Sequence, residues 1–219
     1  MPDSTWISSP GDEKNDPIRQ WIKNNRKSLL ATLLIIVVFG LIAIMVIASR
    51  SRNRDTAEKY LFMAQQYYYA KNYEKAIENI DFIEKNYSDY STYDFALFLK
   101  GDIYYSQENY TKAIEIYSDA EKKIKNKDLL PFVEYSVAKS YQALGDYTNA
   151  ILRFNHFIET YPDHYLTPDV YLSLALSYEK KNEKEAAKET YQKITVLFPN
   201  TSWHEIAKKA LEQYSSKKK

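Results

Sequence analysis

The chain of 219 residues contains no cysteine. No disulfide can form, no thiolate can hold zinc, and the lipid-carrying cysteine of a bacterial lipoprotein is excluded. Glycine is scarce, at 4, and proline modest, at 7. So few backbone punctuators imply long helices and short connections. An excess of one charge is also missing: Lys and Arg number 30 against 29 Asp and Glu. Beyond residue 50 the balance is 24 basic to 25 acidic. A nucleic-acid binder shows a basic face or stripe. None is sustained here, and Lys217–Lys219 read as a solvated end, so no nucleic-acid partner is expected. Phosphate-binding loops, nucleophile elbows and dinucleotide glycine fingerprints are absent too. His156, His164 and His204 keep no ligand spacing and read as surface or loop residues. The expectation is a non-enzyme with no catalytic residue, no metal ligand, no cofactor and no small-molecule substrate.

What the chain does have begins with Leu29 to Ala48, twenty residues without a charge. A helix of this length spans the ~30 Å hydrocarbon core of a bilayer. Arg26 and Lys27 close it on one side, and Arg50, Arg52 and Arg54 on the other. A cleaved signal peptide is the rival, with Val46-Ile47-Ala48 resembling a cleavage site. Against it, the apolar run exceeds the ~7–15 residues of a signal core, and a polar head of 28 residues precedes it. The reading is therefore an uncleaved single-pass anchor in the cell membrane, contacting the lipid bilayer through residues 29–48. The basic residues flanking it are too evenly divided to fix orientation by themselves. A signal anchor would leave the N-terminus cytoplasmic and export the rest of the chain.

Tyrosine is abundant, at 21, and part of it is periodic. Tyr67, Tyr104, Tyr141 and Tyr178 stand 37 residues apart, and Ala76, Ala113, Ala150 and Ala187 keep the same interval. Such a period marks one structural unit copied and stacked, each burying its apolar face on its neighbours. A first helix ends near each periodic Tyr. A turn follows at Lys71-Asn72-Tyr73, Glu108-Asn109-Tyr110, Gly145-Asp146-Tyr147 and Asn182-Glu183-Lys184, where Asn, Gly and Asp tolerate a left-handed backbone. A second helix then carries the Ala, with Ile80, Tyr117, Phe154 and Tyr191 four residues later. Ile83, Ala120, Phe157 and Ile194 come three further on, which completes a helical core stripe. Pro162 and Pro199 stop the second helix in the last two units.

The pattern over residues 56–214 resembles the tetratricopeptide repeat. The small residue of that family's helix A corresponds to Ala64, Gly101, Ala138 and Ala175, and its helix-A aromatic to Tyr67, Tyr104, Tyr141 and Tyr178. Its helix-B alanine and terminal proline correspond to the residues above. The resemblance implies an all-α solenoid of antiparallel helix pairs, placed behind an N-terminal transmembrane helix. The expected domains are a polar head (1–28), the transmembrane helix (29–48), an array of four units with a capping helix (55–214) and a basic tail (215–219). In the cap, Ile206, Ala210 and Leu211 are expected on the preceding unit. The chain departs from the family in its period, which is about 34 there. It also has Lys100 where Leu is preferred, with Leu99 beside it to cover the loss. Ser88 and Lys125 replace the terminal proline in the first two units.

The same resemblance places helix A along an inner, concave wall. Its inward positions are Leu61, Gln65 and Tyr68; Phe98, Asp102 and Tyr105; Tyr135, Lys139 and Gln142; Leu172, Leu176 and Glu179. Each triplet is spaced i, i+4, i+7, a stripe distinct from the core stripe. Its first member is apolar or aromatic in every unit. Aromatics with interleaved polar groups suit a peptide or partner helix laid along the groove; packing between neighbouring helices A is the alternative. Lys139 is the one cation among the twelve, which argues against a clamp for acidic C-termini.

Anchor and array together resemble the single-pass ancillary subunit of the bacterial Sec translocon. Ile18-Arg-Gln-Trp-Ile-Lys-Asn-Asn-Arg-Lys27 resembles the amphipathic segment that leads into that family's membrane helix. The implied function is a membrane-anchored scaffold at the bacterial cell envelope, assisting protein translocation or periplasmic chaperone hand-over. Two alternatives stay open. One is a cytoplasmic-facing membrane adaptor or regulator. The other is a coordinator of cell division or envelope assembly, since Tyr161-Pro-Asp and Phe198-Pro-Asn also resemble the Tol–Pal-associated coordinator and the outer-membrane assembly lipoproteins.

Overall fold

The computed structural model describes residues 17–216. Residues 1–16 of the expected head and Lys217–Lys219 of the expected tail lie outside the described residues. Every regular element among the described residues is helical. The chain divides between Asn53 and Arg54 into two units.

The first unit holds α1 (Pro17–Asn24) and the leading part of α2 (Arg26–Tyr69). No side chain of residues 17–53 is buried. From Leu30 to Ile47 the large apolar side chains are exposed. Helix α2 is long and apolar enough to cross a membrane. In α1, Ile18, Trp21 and Ile22 are exposed and recur at i, i+3, i+4, so they share one face.

The second unit is a run of helix pairs. The end of α2 pairs with α3 (Tyr73–Asn86), α4 (Ser91–Ser106) with α5 (Tyr110–Lys123), and α6 (Leu130–Leu144) with α7 (Tyr147–Thr160). A fourth pair is α8 (Thr167–Lys180) with α9 (Lys184–Leu197), and α10 (Ser202–Ser216) follows. Each helix A turns into helix B through the same closure. The carbonyl of Tyr67 accepts from Asn72 N–H at 2.8 Å, and that of Tyr68 from Lys71 N–H at 2.9 Å. The equivalent bonds recur at Tyr104 and Tyr105, Tyr141 and Gln142, and Tyr178 and Glu179. This is the Schellman pattern, which satisfies the last carbonyls of a helix and needs one left-handed residue. That residue is Lys71 (φ 58°), Glu108 (φ 58°), Gly145 (φ 85°) and Asn182 (φ 64°).

Here the structure differs from expectation in the first two repeats. A lysine and a glutamate take the left-handed site, and the neighbouring asparagines start the next helix. Asn72 Oδ1 accepts from Lys75 N–H at 3.3 Å and Asn109 Oδ1 from Lys112 N–H at 3.2 Å. Asp146 caps α7 in the same way, accepting from Asn149 N–H at 3.1 Å. A short polar side chain does more as an N-cap, where it satisfies an orphan donor, than at the left-handed site.

The pairs pack through small residues. Ala64, Ala138 and Ala175 of helices A and Ala76, Ala113, Ala150 and Ala187 of helices B are fully buried. Over them lies the core stripe of helix B: Ile80, Tyr117, Phe154 and Tyr191, then Ile83, Ala120, Phe157 and Ile194, none more than 2% exposed. Gly101 holds the helix-A position in the second repeat. A Cβ there would come within 2.2 Å of the Tyr117 ring.

The unit boundaries without proline are held by other means. Asp94 of α4 is buried and accepts from the backbone N–H groups of Lys125 (3.0 Å) and Asn126 (2.7 Å), pinning the connection after α5. A 3-10 turn (Lys127–Leu129) then leads into α6. Leu99 is buried in the core, while Lys100 bonds Asp81 at 2.7 Å and Glu84 at 3.0 Å on α3. In α10 the register differs from expectation. Ile206 is 46% exposed, and Ala207 is fully buried with Trp203, Ala210, Leu211 and Tyr214 packed around it. The apolar stripe thus starts at Trp203, whose indole N–H donates to Asp169 at 2.9 Å and sets the rotation of the helix.

Two sets of substitutions test this account by urea unfolding of a fragment beginning at Asp55. Glu108→Gly relieves a left-handed glutamate and is expected to stabilise by roughly 0.5–1 kcal/mol, while Gly145→Ala loses about 1 kcal/mol. A loss of stability in Glu108→Gly, or no loss in Gly145→Ala, would contradict the closure described. Gly101→Ala is expected to cost roughly 1–3 kcal/mol despite alanine's better helix propensity, because overpacking outweighs it. The cost should shrink in a Tyr117→Leu background; an unchanged cost would mean that the ring is not the obstacle.

Candidate protein-binding surface

The twelve stripe positions fall into two groups in the structure. Several tie one helix A to the next. Tyr68 shares a hydrogen bond with Ser106 at 3.0 Å. Gln142 donates to the Ser173 carbonyl at 2.9 Å and to Ser177 Oγ at 2.8 Å. Glu179 accepts from the Tyr214 hydroxyl at 2.7 Å. Leu61 and Phe98 pack against the core of the first two repeats, and Leu172 against that of the last. Gln65 is half-buried on α2, and Leu176 is 41% exposed on α8.

The second group converges. Asp102 and Tyr105 of α4 and Tyr135 and Lys139 of α6 line one cavity of about 240 Å³. Tyr117 of α5 and Ser136 of α6 complete its wall. The 37-residue period is what makes this possible, since it aligns the inward faces of consecutive helices A. Tyr135 is fixed from behind by Phe154 and Phe157, with ring centroids 6.3 and 6.4 Å away. Tyr105 stands edge-on to Tyr110 at 5.2 Å.

Tyr117 belongs to the core stripe of helix B, and its spacing does not mark it as a wall residue. Its ring is buried, crossing the space left by Gly101, and its hydroxyl donates to Asp102. One signal was available in the sequence. A tyrosine stands where the first and third repeats carry Ile and Phe, and a buried hydroxyl needs a partner.

The electrostatics of the cavity are unbalanced. Burial pushes the Asp102 carboxyl up to about 6, against the opposing pull of the Tyr117 hydrogen bond. Burial, then the nearby Asp102 charge, raises the Tyr117 hydroxyl well above the usual tyrosine range. Burial also raises Tyr105 and Tyr135 and lowers Lys139, which Asp169 partly restores. The Lys139 ammonium donates to Gln142 Oε1 at 2.7 Å, and Gln142 is itself held by α8.

Other polar clusters are tied up inside the fold. His156 bonds the buried Glu134, and Arg153 pairs with Glu121 at 3.0 Å, joining α5, α6 and α7. His164 sits among Phe132, Phe157, Tyr161 and Tyr165, while His204 Nδ1 lies 3.1 Å from the Thr195 carbonyl. No group of three or more potential metal ligands occurs among the described residues. A larger, shallow hollow of about 610 Å³ lies on the helix-B side of the last repeat, between Tyr171 and the exposed Val196 and Leu197. It contains no stripe residue.

Comparison with known proteins agrees with this architecture. Family models of the tetratricopeptide repeat match residues 63–128, 133–164 and 169–201. The chain belongs to the tetratricopeptide repeat family, whose repeats form protein–protein interaction scaffolds. No curated protein sequence matches it. Among solved structures it is similar to the apo form of RapI, with a TM-score of 0.61 and 16% identity over 71% of this chain. The chain spans 46% of the length of RapI. It is also similar to MamA (residues 41 to the end) from Desulfovibrio magneticus RS-1, with a TM-score of 0.55, 17% identity and coverage of 73% of this chain and 97% of MamA. The repeats of a kinesin light chain from Podosopora anserina give a TM-score of 0.58 and 13% identity, covering 73% of this chain and 85% of theirs. At these identities the likeness is one of fold.

The raised Asp102 carboxyl makes a prediction about pH. The unfolded chain releases this proton near the ordinary carboxylate value of 3.8, and the folded chain near 6. Over that interval the folded state binds more protons, so ionisation of Asp102 erodes stability as pH rises. Asp102→Asn removes the penalty. Its stabilising effect is expected to be larger at pH 7.5 than at pH 4.5, by on the order of 1–3 kcal/mol. Urea unfolding at the two pH values measures it; an effect independent of pH would place the carboxyl in ordinary solvent.

Proposed function

We propose that the protein is a membrane-anchored scaffold whose repeats hold a protein or peptide partner along the inner faces of helices A. In this reading residues 29–48 cross the cell membrane and the repeats lie on its outer, periplasmic side, where they assist translocation or chaperone hand-over. The observation that carries the reading is the contrast between two parts of the chain. Residues 17–53 bury no side chain, whereas the repeats bury a core along their whole length. A helix that exposes Leu, Ile, Val and Phe on every side is stable where the surroundings are as apolar as it is. The repeats supply the interaction surface, and their inner stripe supplies aromatic side chains beside polar ones, the composition of interface anchors. Nothing in the stripe provides a nucleophile with an adjacent base, which favours binding over catalysis.

Topology separates this reading from its rivals. The full-length protein is expected to remain in the membrane fraction after alkaline carbonate washing, with its mature N-terminus before Leu29. A reporter active only outside the cytoplasm, fused after Lys219, is expected to be active. A mature chain starting near Ser49 would instead indicate a cleaved signal. An inactive export reporter with an active cytoplasmic one would make the protein a cytoplasmic-facing adaptor. Photo-crosslinkers at Phe98, Tyr105 and Tyr135 are expected to capture partner protein in cells, and those at Lys112 and Leu152 on helices B to capture little.

A further inference from the structure

The cavity between α4, α5 and α6 has a chemistry of its own. One oxygen of Asp102 accepts from Tyr117, and the other has no hydrogen-bond partner among the described residues. Among the described residues no buried side-chain oxygen is left unpaired, so the second Asp102 oxygen is open to the cavity that the residue lines. No cation pairs with Asp102 among the described residues. Lys139 lines the same cavity, but its ammonium is held by Gln142, and its charged form is disfavoured by burial. A largely buried carboxylate without a counter-ion is costly, and an opposite charge brought to it gains more than it would in water. The remaining wall is Ser136 and three tyrosines, and the faces of tyrosine rings attract cations.

We propose that this cavity is a socket for one arginine side chain of the bound partner, with Asp102 as its counter-ion and Tyr105, Tyr117 and Tyr135 as its walls. The inference rests on the reading that partners lie along helices A. Guanidinium suits the socket better than ammonium because it is planar, more weakly hydrated and stacks on aromatic rings. An acidic side chain is disfavoured, since it would meet the Asp102 charge and find the lysine already engaged. The tyrosine walls lie on three different helices, so the socket exists only where the second and third repeats are stacked.

The test uses the full chain in nanodiscs, with a single fluorotyrosine at position 105 or 135 observed by fluorine NMR. The probes are three blocked tripeptides, Gly-Arg-Gly, Gly-Lys-Gly and the neutral isostere with citrulline in place of arginine. The arginine peptide is expected to shift both resonances saturably, with the citrulline peptide at least about tenfold weaker. Asp102→Asn should reduce arginine binding to the citrulline level, while Lys139→Met should leave it intact or stronger. Equal binding of arginine and citrulline peptides, or no loss in Asp102→Asn, would overturn the socket. Tighter binding of the lysine peptide would overturn the guanidinium assignment. The socket and the groove are separable by crosslinking. Crosslinks from Phe98 and Tyr135 that persist in Asp102→Asn leave the groove reading standing without the socket. Absence of any crosslink in the wild-type chain removes the groove reading itself.

Discussion

The array depends on one closure made four times. At the end of each helix A, two carbonyls that would otherwise be orphaned accept from the next two residues of the turn, and one residue goes left-handed at Lys71, Glu108, Gly145 and Asn182. This fixes the angle at which helix B leaves, and thereby the register at which the alanines of the two helices meet. A reversal that was loose by one residue would rotate helix B by about 100° and turn its core stripe toward solvent. The sequence at the left-handed site is free to vary because the hydrogen bonds, rather than the residue type, hold the conformation.

The close approach of the helices then decides what the inner wall looks like. Where helix A offers alanine, the large residue of helix B stays within the core. Where it offers Gly101, the Tyr117 ring occupies the space of the missing Cβ and its hydroxyl reaches Asp102, the next residue of α4. A packing detail of the core thus places a polar group in the wall of the cavity. The cavity of the second and third repeats is bounded by this pair; in the fourth repeat, with Ala175 in place of Gly101, the equivalent Tyr191 hydroxyl meets Glu179, a different position of helix A.

Much of the fold was legible because its determinants are periodic. The tyrosines, the alanines and the core stripe recur every 37 residues, and the stripe positions of helices B from Ile80 to Ile194 were readable from spacing alone, while buried Asn79, Ile151 and Thr190 beside them were not. The features that escaped are singular. Asp94 reaches the loop after α5, thirty-one residues further on, to do what a proline does in later repeats. Ala207, not Ile206, faces the last repeat because Trp203 bonds Asp169 and turns α10. Of the inner stripe, spacing indicated which residues share a face. It could not distinguish those that cross-link neighbouring helices, such as Gln142 and Glu179, from those that surround open space, such as Asp102 and Tyr135. That distinction depends on side-chain length against interhelix distance, which no periodicity encodes.

A scaffold of this kind does not need a tight single contact. One charged side chain in a partly buried socket contributes on the order of 1–3 kcal/mol, a weak interaction by itself. Along the proposed groove it would act beside Leu176, which offers an exposed apolar station in the fourth repeat. Tethering changes the arithmetic further. A partner already confined to the same membrane meets the repeats at an effective concentration far above its bulk value, so modest affinity suffices for occupancy while exchange stays fast. The division of the chain into an exposed apolar helix and a rigidly closed array is consistent with that economy. The helix would supply proximity, the repeated closure would supply a fixed surface, and the one irregularity in the core would supply the chemical selectivity.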